Sequence, residues 1–168
     1  MRVTLKQNTE GFLRSNNYDV FLDKTRVFLI EKSIIPFFNK YIIREVKHNV
    51  KVGTIEGSPH SKKNGAWITV RRKDFHIYKS ERRVYLSEWS NNTGQFHRIE
   101  NVDGNWIVKN GDEQIAEWSY TKIIKFGKNH INMEIHPDAD LLLLAGYAAL
   151  FDIYRFKMSV GWLDSDEL

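Results

Sequence analysis

Histidine has the widest chemical repertoire of the side chains in this sequence, because it can bind metals and exchange protons near neutral pH. The six histidines are His48, His60, His76, His97, His130 and His136. No two of them form the His-x-x-x-His pair that places two metal ligands on one face of a helix, so we expect no metal site. His136 lies close to Asp138 and just before a predicted helix, which favours a local turn contact over proton transfer.

The carboxylates near the C-terminus are the next candidates for chemistry. Asp140 and Asp152 are 12 residues apart, which is about 18 Å along a helix and too far for a catalytic pair. Asp140 is predicted to stabilise a helix N-terminus. Asp152 and Arg155 are three residues apart and are predicted to touch on one helix face. If Asp152 is buried it needs a partner, and Arg155 or a strand backbone is the expected one.

Motifs for nucleotide binding or acyl transfer are absent from the sequence. It contains no Gly-x-x-x-x-Gly-Lys, Gly-x-Gly-x-x-Gly or Gly-x-Ser-x-Gly string. It also has no cysteine, which excludes disulfides, thiolate metal sites and a cysteine nucleophile, and fits a reducing compartment. Since residues 1–8 lack an apolar signal stretch, we predict a cytoplasmic protein. Because these motifs are absent, we predict neither a cofactor nor enzymatic activity.

Basic residues are concentrated in the first half of the chain. Residues 1–84 carry 18 basic and 8 acidic side chains, a net charge of +10, whereas residues 85–168 carry 7 and 13, a net charge of −6. Such an excess could face phosphate groups on lipid or nucleic acid, or it could simply keep a sheet edge soluble. The candidate contacts with an anionic surface are Lys62, Lys63, Arg71, Arg72, Lys73, Arg82 and Arg83. The sequence leaves open whether they converge.

The rest of the chain must position these side chains, and its pattern is that of a single mainly β domain over residues 1–168. It is 13% aromatic with only 3 prolines, and turn signals recur between segments of strand length. Ile131, Met133 and Ile135 alternate with polar residues, which predicts a strand with one buried face. Hairpins are predicted at 110–112 and at 48–49. Residues 33–47 fit a helix or a strand, and their β-branched and aromatic content favours the strand.

An almost uninterrupted apolar run, Leu141 to Phe151, stands near the C-terminus. As a helix it would extend about 16 Å, against about 30 Å of hydrocarbon in a bilayer. Pro137 and two aspartates predict a helix start, and the apolar circumference predicts a helix over about 138–156 that is buried on nearly all sides. One sheet face could not cover it, so we predict a closed antiparallel barrel around the helix. The segment 157–162 is predicted to return as a final strand and 164–167 to form a loose tail.

Four parts of the chain resemble a known superfamily: the segments 104–108 and 115–117, the strand 129–135, and the stretch from Asp138 to Asp152, which closes on Ala149-Leu150-Phe151-Asp152. They are similar to the tubby C-terminal domain-like group, which includes LURP-one-related proteins and phospholipid scramblases. The resemblance covers about residues 100–160 and implies a closed barrel of about twelve antiparallel strands around a hydrophobic C-terminal helix. No phosphoinositide motif or calcium loop of that group can be placed on this sequence.

These observations favour a non-catalytic tubby-like, scramblase-like lipid-binding module, cytoplasmic or peripheral to the membrane, that contacts anionic phospholipid headgroups. The alternative is a cytoplasmic protein-interaction or regulatory domain without a lipid role. Nucleic-acid binding is disfavoured, because aromatic residues in strands commonly pack across neighbouring strands. A hydrolase or lipid-handling activity is also disfavoured, unless a large polar cavity is lined by His97, His130 or Asp152. The ligand, the oligomeric state and the biological process are not predicted.

Overall fold

The fold is a mainly β structure with one helix at its C-terminal side. The computed structural model describes residues 1–8, 17–33, 40–61, 64–91, 96–123 and 128–159. Over these residues the chain forms twelve strands and one helix. They are β1 (Arg2–Asn8), β2 (Asn17–Leu22), β3 (Thr25–Lys32), β4 (Lys40–Glu45), β5 (Val50–Gly57), β6 (Ala66–Val70), β7 (Lys73–Glu81), β8 (Val84–Trp89), β9 (Phe96–Val102), β10 (Asn105–Asn110), β11 (Glu113–Ile123), β12 (Lys128–Ile135) and α1 (Leu141–Ser159).

The twelve strands form one closed barrel in which each strand pairs antiparallel with its neighbours in sequence. The first and last strands close it, with Val3 opposite Met133 and Leu5 opposite Ile131. The amino terminus is held there too, because the Met1 carbonyl oxygen accepts a 2.8 Å hydrogen bond from the Ile135 amide. Closure leaves none of these strands with an unpaired edge. The predicted barrel of about twelve strands is confirmed.

Side-chain alternation determines which face of each strand lies inside. Ile131, Met133 and Ile135 are buried, as the period-2 pattern predicts, and the polar residues between them point outward. Both predicted hairpins are present, β4–β5 and β10–β11. Residues 40–45 of the ambiguous segment form a strand, and residues 34–39 lie outside the described part of the chain.

The helix α1 is enclosed by the barrel. Every residue from Leu142 to Tyr154 is buried. Its neighbours lie on opposite sides of the wall, since Tyr147 contacts His97 on β9 while Asp152 contacts Tyr18 on β2. A helix that is apolar all round therefore serves as the barrel's core. Among the described residues no helix has the length and apolar character needed to cross a membrane.

The ends of α1 differ from the prediction. The helix begins at Leu141, because Asp138 belongs to the preceding turn and Asp140 caps the helix. It continues to Ser159, so the predicted final strand over 157–162 is wrong for residues 157–159. The first helix-breaking residue after Arg155 in the sequence is Gly161, and the closed barrel offers no edge to a further strand. The predicted tail, 164–167, lies outside the described residues.

Candidate functional site

The barrel has two ends with different turns. Because successive strands run in opposite directions, the turns after β2, β4, β6, β8, β10 and β12 lie at one end, where α1 begins at Leu141. We call this the upper end. The turns after β3, β5, β7 and β9 lie at the other end, where Asp152 and Arg155 are found, and we call this the lower end.

The predicted basic residues separate into two groups. Arg71 and Arg72 form the β6–β7 turn at the upper end, followed by Lys73 as the first residue of β7. Arg82 and Arg83 form the β7–β8 turn at the lower end. The nine residues of β7 separate the two turns by roughly 30 Å, so a single small ligand cannot contact both. Lys62 and Lys63 lie outside the described residues.

The β6–β7 turn has an unusual composition for its backbone geometry. Val70 pairs directly with Lys73, which leaves a two-residue turn. Both arginines have positive φ, 49° at Arg71 and 65° at Arg72. Two-residue turns with this geometry favour Asn and Gly, since a side chain in the left-handed region costs about 1 kcal/mol or more. Turn propensity therefore does not explain why arginine occupies these two positions.

Three neighbouring turns form a basic surface at the upper end. The Val46 amide donates to Val27 O at 3.0 Å and the Arg71 amide donates to Val52 O at 3.2 Å, which joins the β2–β3, β4–β5 and β6–β7 turns side by side. We define the upper basic surface by its exposed basic and apolar side chains, which are Lys24, Val46, Lys47, Val50, Lys51, Arg71, Arg72 and Lys73; Asp23 and Asp74 are exposed beside them.

Most charges on the upper basic surface have no counter-ion. In the described part of the chain, Lys24, Lys47, Lys51 and Arg72 form no ion pair, and Arg71 has one long contact, 3.8 Å to Asp140. Two apolar side chains lie among these cations, Val46 at 37% and Val50 at 48% exposed. Unpaired cations next to exposed apolar groups are typical of surfaces that meet a lipid headgroup layer.

A cavity of about 370 Å³ opens beside this surface, between the start of α1 and strands β7 to β11. We call it the mouth cavity. Its apolar walls include Phe75 and Trp89, whose rings meet edge to face at 5.7 Å. Its polar lining includes His97, Glu113 and Asp140. The sequence analysis named His97 as a residue that could line a polar cavity, and it does so here at the barrel mouth, above a helix that fills the interior.

His97 is held by a buried chain of hydrogen bonds. The Tyr147 hydroxyl donates to Ser87 Oγ at 2.7 Å, and His97 Nδ1 lies 3.0 Å from the same hydroxyl oxygen. Which of these two groups donates depends on the tautomer of the imidazole ring. Burial lowers the pKa of His97 to about 4, partly opposed by the Asp140 charge, so the ring is neutral at pH 7. Ser87 is fully buried and cannot serve as a nucleophile for a ligand in the cavity.

The start of α1 forms one wall of the cavity and is capped as predicted. Asp140 Oδ1 accepts from the amides of Leu142 at 3.0 Å and Leu143 at 3.3 Å. The predicted turn contact of His136 is also present, because its Nδ1 accepts from the Asp138 amide at 3.4 Å. Asp140 is therefore committed to the helix N-terminus and His136 to its turn.

The lower end contains a buried carboxylate. Asp152 is fully buried and accepts a 2.7 Å hydrogen bond from the Tyr18 hydroxyl, and the predicted contact with Arg155 is confirmed at 3.7 Å. Arg155 in turn stacks over the Tyr120 ring at 4.0 Å. Burial, followed by the Asp152 charge, raises the pKa of Tyr18 well above 10. Sequence reasoning missed Tyr18, because no local signal links residues 134 positions apart.

Two further observations limit the chemistry of the site. Over the described ranges, no three His, Asp or Glu side chains are grouped so that they could hold a metal ion. On the outer wall, the exposed Trp67 stacks on His76 with a centroid distance of 4.5 Å. This is the cross-strand packing that the sequence analysis favoured over base stacking.

Comparisons with known proteins return no match. No protein-family model matches the chain, and neither the curated proteins nor the solved structures include a significant match to it. The architecture established here is a closed twelve-stranded antiparallel barrel with a C-terminal helix.

Proposed function

We propose that the chain is a non-catalytic, tubby-like binding module that contacts anionic phospholipid headgroups through the upper basic surface. The observation that carries the proposal is a group of cations that form no ion pair with any described residue, beside the exposed Val46 and Val50. These cations are Lys24, Lys47, Lys51 and Arg72. Cations attract the phosphates by charge, and each contributes about 1 kcal/mol near an anionic membrane. Because the two valines are already exposed, they can enter the headgroup layer while the protein core stays intact.

The backbone of the β6–β7 turn supports the same proposal. Arg71 and Arg72 occupy left-handed positions that would be more stable with Asn or Gly. Strain of this kind indicates a role that depends on the side chains themselves. Two adjacent guanidinium groups at the tip of a hairpin can donate several hydrogen bonds to phosphate oxygens.

The filled interior supports a binding role over a catalytic one. The helix occupies the space where a barrel enzyme would hold its substrate, and Ala148, Ala149 and Leu150 are fully buried. No serine, threonine or tyrosine is among the described residues that line the mouth cavity. A binding module located in the cytoplasm or at the inner membrane face fits these features.

The two arginine turns provide a matched experiment for vesicle binding. Arg71→Asn/Arg72→Asn removes two charges from the upper end, whereas Arg82→Asn/Arg83→Asn removes two charges from the lower end, and Asn tolerates positive φ. Co-sedimentation is measured at low salt with phosphatidylcholine vesicles and with vesicles that also contain phosphatidylserine. We expect binding to anionic vesicles only, about thirtyfold weaker for the upper variant, with the lower variant close to the parent chain.

Other results would overturn the proposal. Equal binding to neutral and anionic vesicles would show that the chain does not recognise anionic headgroups. A loss of binding confined to the lower variant would show that the contact lies at the lower end. If no vesicle binds while a protein partner is recovered at high salt, the chain is instead the protein-interaction domain that the sequence also allows. Melting temperatures of both variants show whether the fold is retained.

A further inference from the structure

The β4–β5 turn places a histidine and a carboxylate in contact within the upper basic surface. His48 Nδ1 lies 2.6 Å from Glu45 Oε2, and the two residues flank Val46 and Lys47 in the chain. The side chain of His48 is 59% exposed and that of Glu45 is 36% exposed. This turn is the middle one of the three that form the surface. The charge of the pair therefore lies among the cations of the surface.

The contact defines which ring nitrogen of His48 exchanges a proton. An ionised carboxylate only accepts hydrogen bonds, so Nδ1 carries the hydrogen that is donated to Glu45. The second proton of the ring then binds at Nε2. Histidine is the side chain that changes charge between pH 5 and 8. The pair carries one negative charge when the ring is neutral and no net charge when the ring is protonated.

The charged side chains around the pair are mainly cations. Lysine and arginine keep their charge throughout the range in which histidine titrates. The cations are Lys24 from the β2–β3 turn, Lys47 and Lys51 from the hairpin of the pair itself, and Arg71 and Arg72 from the β6–β7 turn. Asp23 and Asp74 are the acidic side chains exposed beside them. Protonation of His48 therefore adds one positive charge to a surface that is already basic.

We infer that the His48–Glu45 pair makes the membrane affinity of the upper basic surface depend on pH. This inference rests on the proposed contact with anionic phospholipid headgroups. When His48 is neutral, the Glu45 carboxylate repels the headgroup phosphates. When His48 is protonated, it neutralises that carboxylate at a distance of 2.6 Å. One additional positive charge tightens binding to an anionic membrane about fivefold, so the chain binds more tightly at acidic pH.

The test measures vesicle binding of the full chain at about pH 5.5 and about pH 8, on either side of the histidine titration. The vesicles contain phosphatidylcholine and phosphatidylglycerol, because the phosphodiester of phosphatidylglycerol keeps its charge over this range. His48→Gln retains a polar side chain that stays neutral at both pH values. We expect the ratio of the two dissociation constants, pH 8 over pH 5.5, to be about fivefold larger for the parent chain than for His48→Gln.

Two further variants isolate the charge of His48. His48→Lys is charged at both pH values, so it should bind about fivefold more tightly than the parent chain at about pH 8 and show the smaller ratio of His48→Gln. His76→Gln is the matched control, because His76 lies on the outer wall against Trp67, away from the three turns. It should keep the ratio of the parent chain. Melting temperatures at both pH values show that each variant is folded.

The outcomes separate this inference from the lipid proposal. Binding to anionic vesicles with equal ratios in the parent chain and His48→Gln would overturn the pH dependence and leave the headgroup contact in place. If neither the parent chain nor any variant binds anionic vesicles, the proposed function fails and the inference fails with it. The imidazole proton resonances of His48 provide a measurement without lipid. A ring that stays in one charge state between the two pH values would also overturn the inference.

Discussion

At the scale of single residues, Asp152 shows how a buried charge is accommodated. Its carboxylate lies inside the barrel and is satisfied from two directions, by the Tyr18 hydroxyl on β2 and by Arg155 one helical turn further along α1. Removing one partner lowers the free energy of unfolding by more than the intact pair contributes to it, because the remaining partner stays buried without its counterpart. Asp152 therefore ties the lower end of the helix to the wall.

We expect Asp152→Ala to lower the free energy of unfolding by about 3 kcal/mol or more, since Tyr18 would lose its acceptor and Arg155 its counter-ion. Asp152→Asn retains an oxygen that accepts from Tyr18 and should cost less. Urea unfolding of the two variants measures the difference. If alanine and asparagine have equal effects, the hydrogen bond to Tyr18 does not contribute as the structure indicates. Neither change should alter vesicle binding at the upper end.

His97 makes stability depend on pH in a defined direction. Its pKa is lowered to about 4 in the folded chain, against about 6.5 when unfolded. Between these values the unfolded chain binds a proton that folded His97 does not, so the free energy of unfolding falls as the pH drops from about 6.5 to about 4. The full contribution is about 3 kcal/mol. Below pH 4 this contribution no longer changes.

Urea unfolding of the parent chain and of His97→Gln, measured at several pH values across this window, tests the histidine's contribution. We expect the difference in stability between the two proteins to shrink as the pH falls, because only the parent loses the neutral, buried imidazole. Parallel stability curves would show that His97 titrates in the folded chain as it does in the unfolded one.

At the scale of elements, two glycines lie where neighbouring elements approach each other closely, one between the helix and a strand and one between two strands. Gly146 on α1 faces Ile68, and a Cβ added there would meet its side chain at 3.4 Å, an ordinary contact. Gly53 on β5 has no such room, because an added Cβ would lie 2.5 Å from the backbone oxygen of Thr69 on β6. A glycine-to-alanine substitution therefore makes an ordinary contact at position 146 and a clash with backbone at position 53.

We predict opposite effects for the two alanine substitutions. Gly146→Ala should raise the free energy of unfolding by about 0.5–1 kcal/mol, since alanine favours a helix and loses less backbone entropy. Gly53→Ala should lower it by about 1–3 kcal/mol, because the backbone of β6 must move. Thermal unfolding of both variants provides the measurement. A loss of stability in Gly146→Ala would mean that the helix packs more tightly against β6 than the 3.4 Å contact implies.

At the scale of the whole molecule, the strand order places the basic and the acidic half of the sequence on different sides of the barrel. Because each strand lies beside its neighbours in sequence, β1 to β7 form one side of the wall and β8 to β12 the other. Among the described residues, 1–84 carry 15 basic and 7 acidic side chains, a net charge of +8, and 85–135 carry 4 and 7, a net charge of −3, so the two sides of the wall differ in charge. An anionic surface would orient the barrel with the side formed by β1 to β7 towards it, which is the side that carries the upper basic surface.

Most of the architecture follows from local patterns. The alternation at Ile131, Met133 and Ile135 defines a strand face, and the turn at 110–112 defines a hairpin, since both depend on residues a few positions apart. The apolar circumference of Leu141 to Phe151 requires an enclosing wall. The predicted final strand is wrong for residues 157–159, because local pattern carries no information on whether the barrel is already closed by β1 and β12.

The sequence by itself determined the element types, the inward faces and the burial of the helix, because these depend on periodicity and on the cost of exposing apolar surface. Only the tertiary structure decided which side chains meet. The direction of each strand sent Arg71 and Arg82 to opposite ends, and barrel closure brought Tyr18 to Asp152 and placed Trp89 beside His97. Such pairings depend on the number and order of all twelve strands, which no short stretch of sequence encodes.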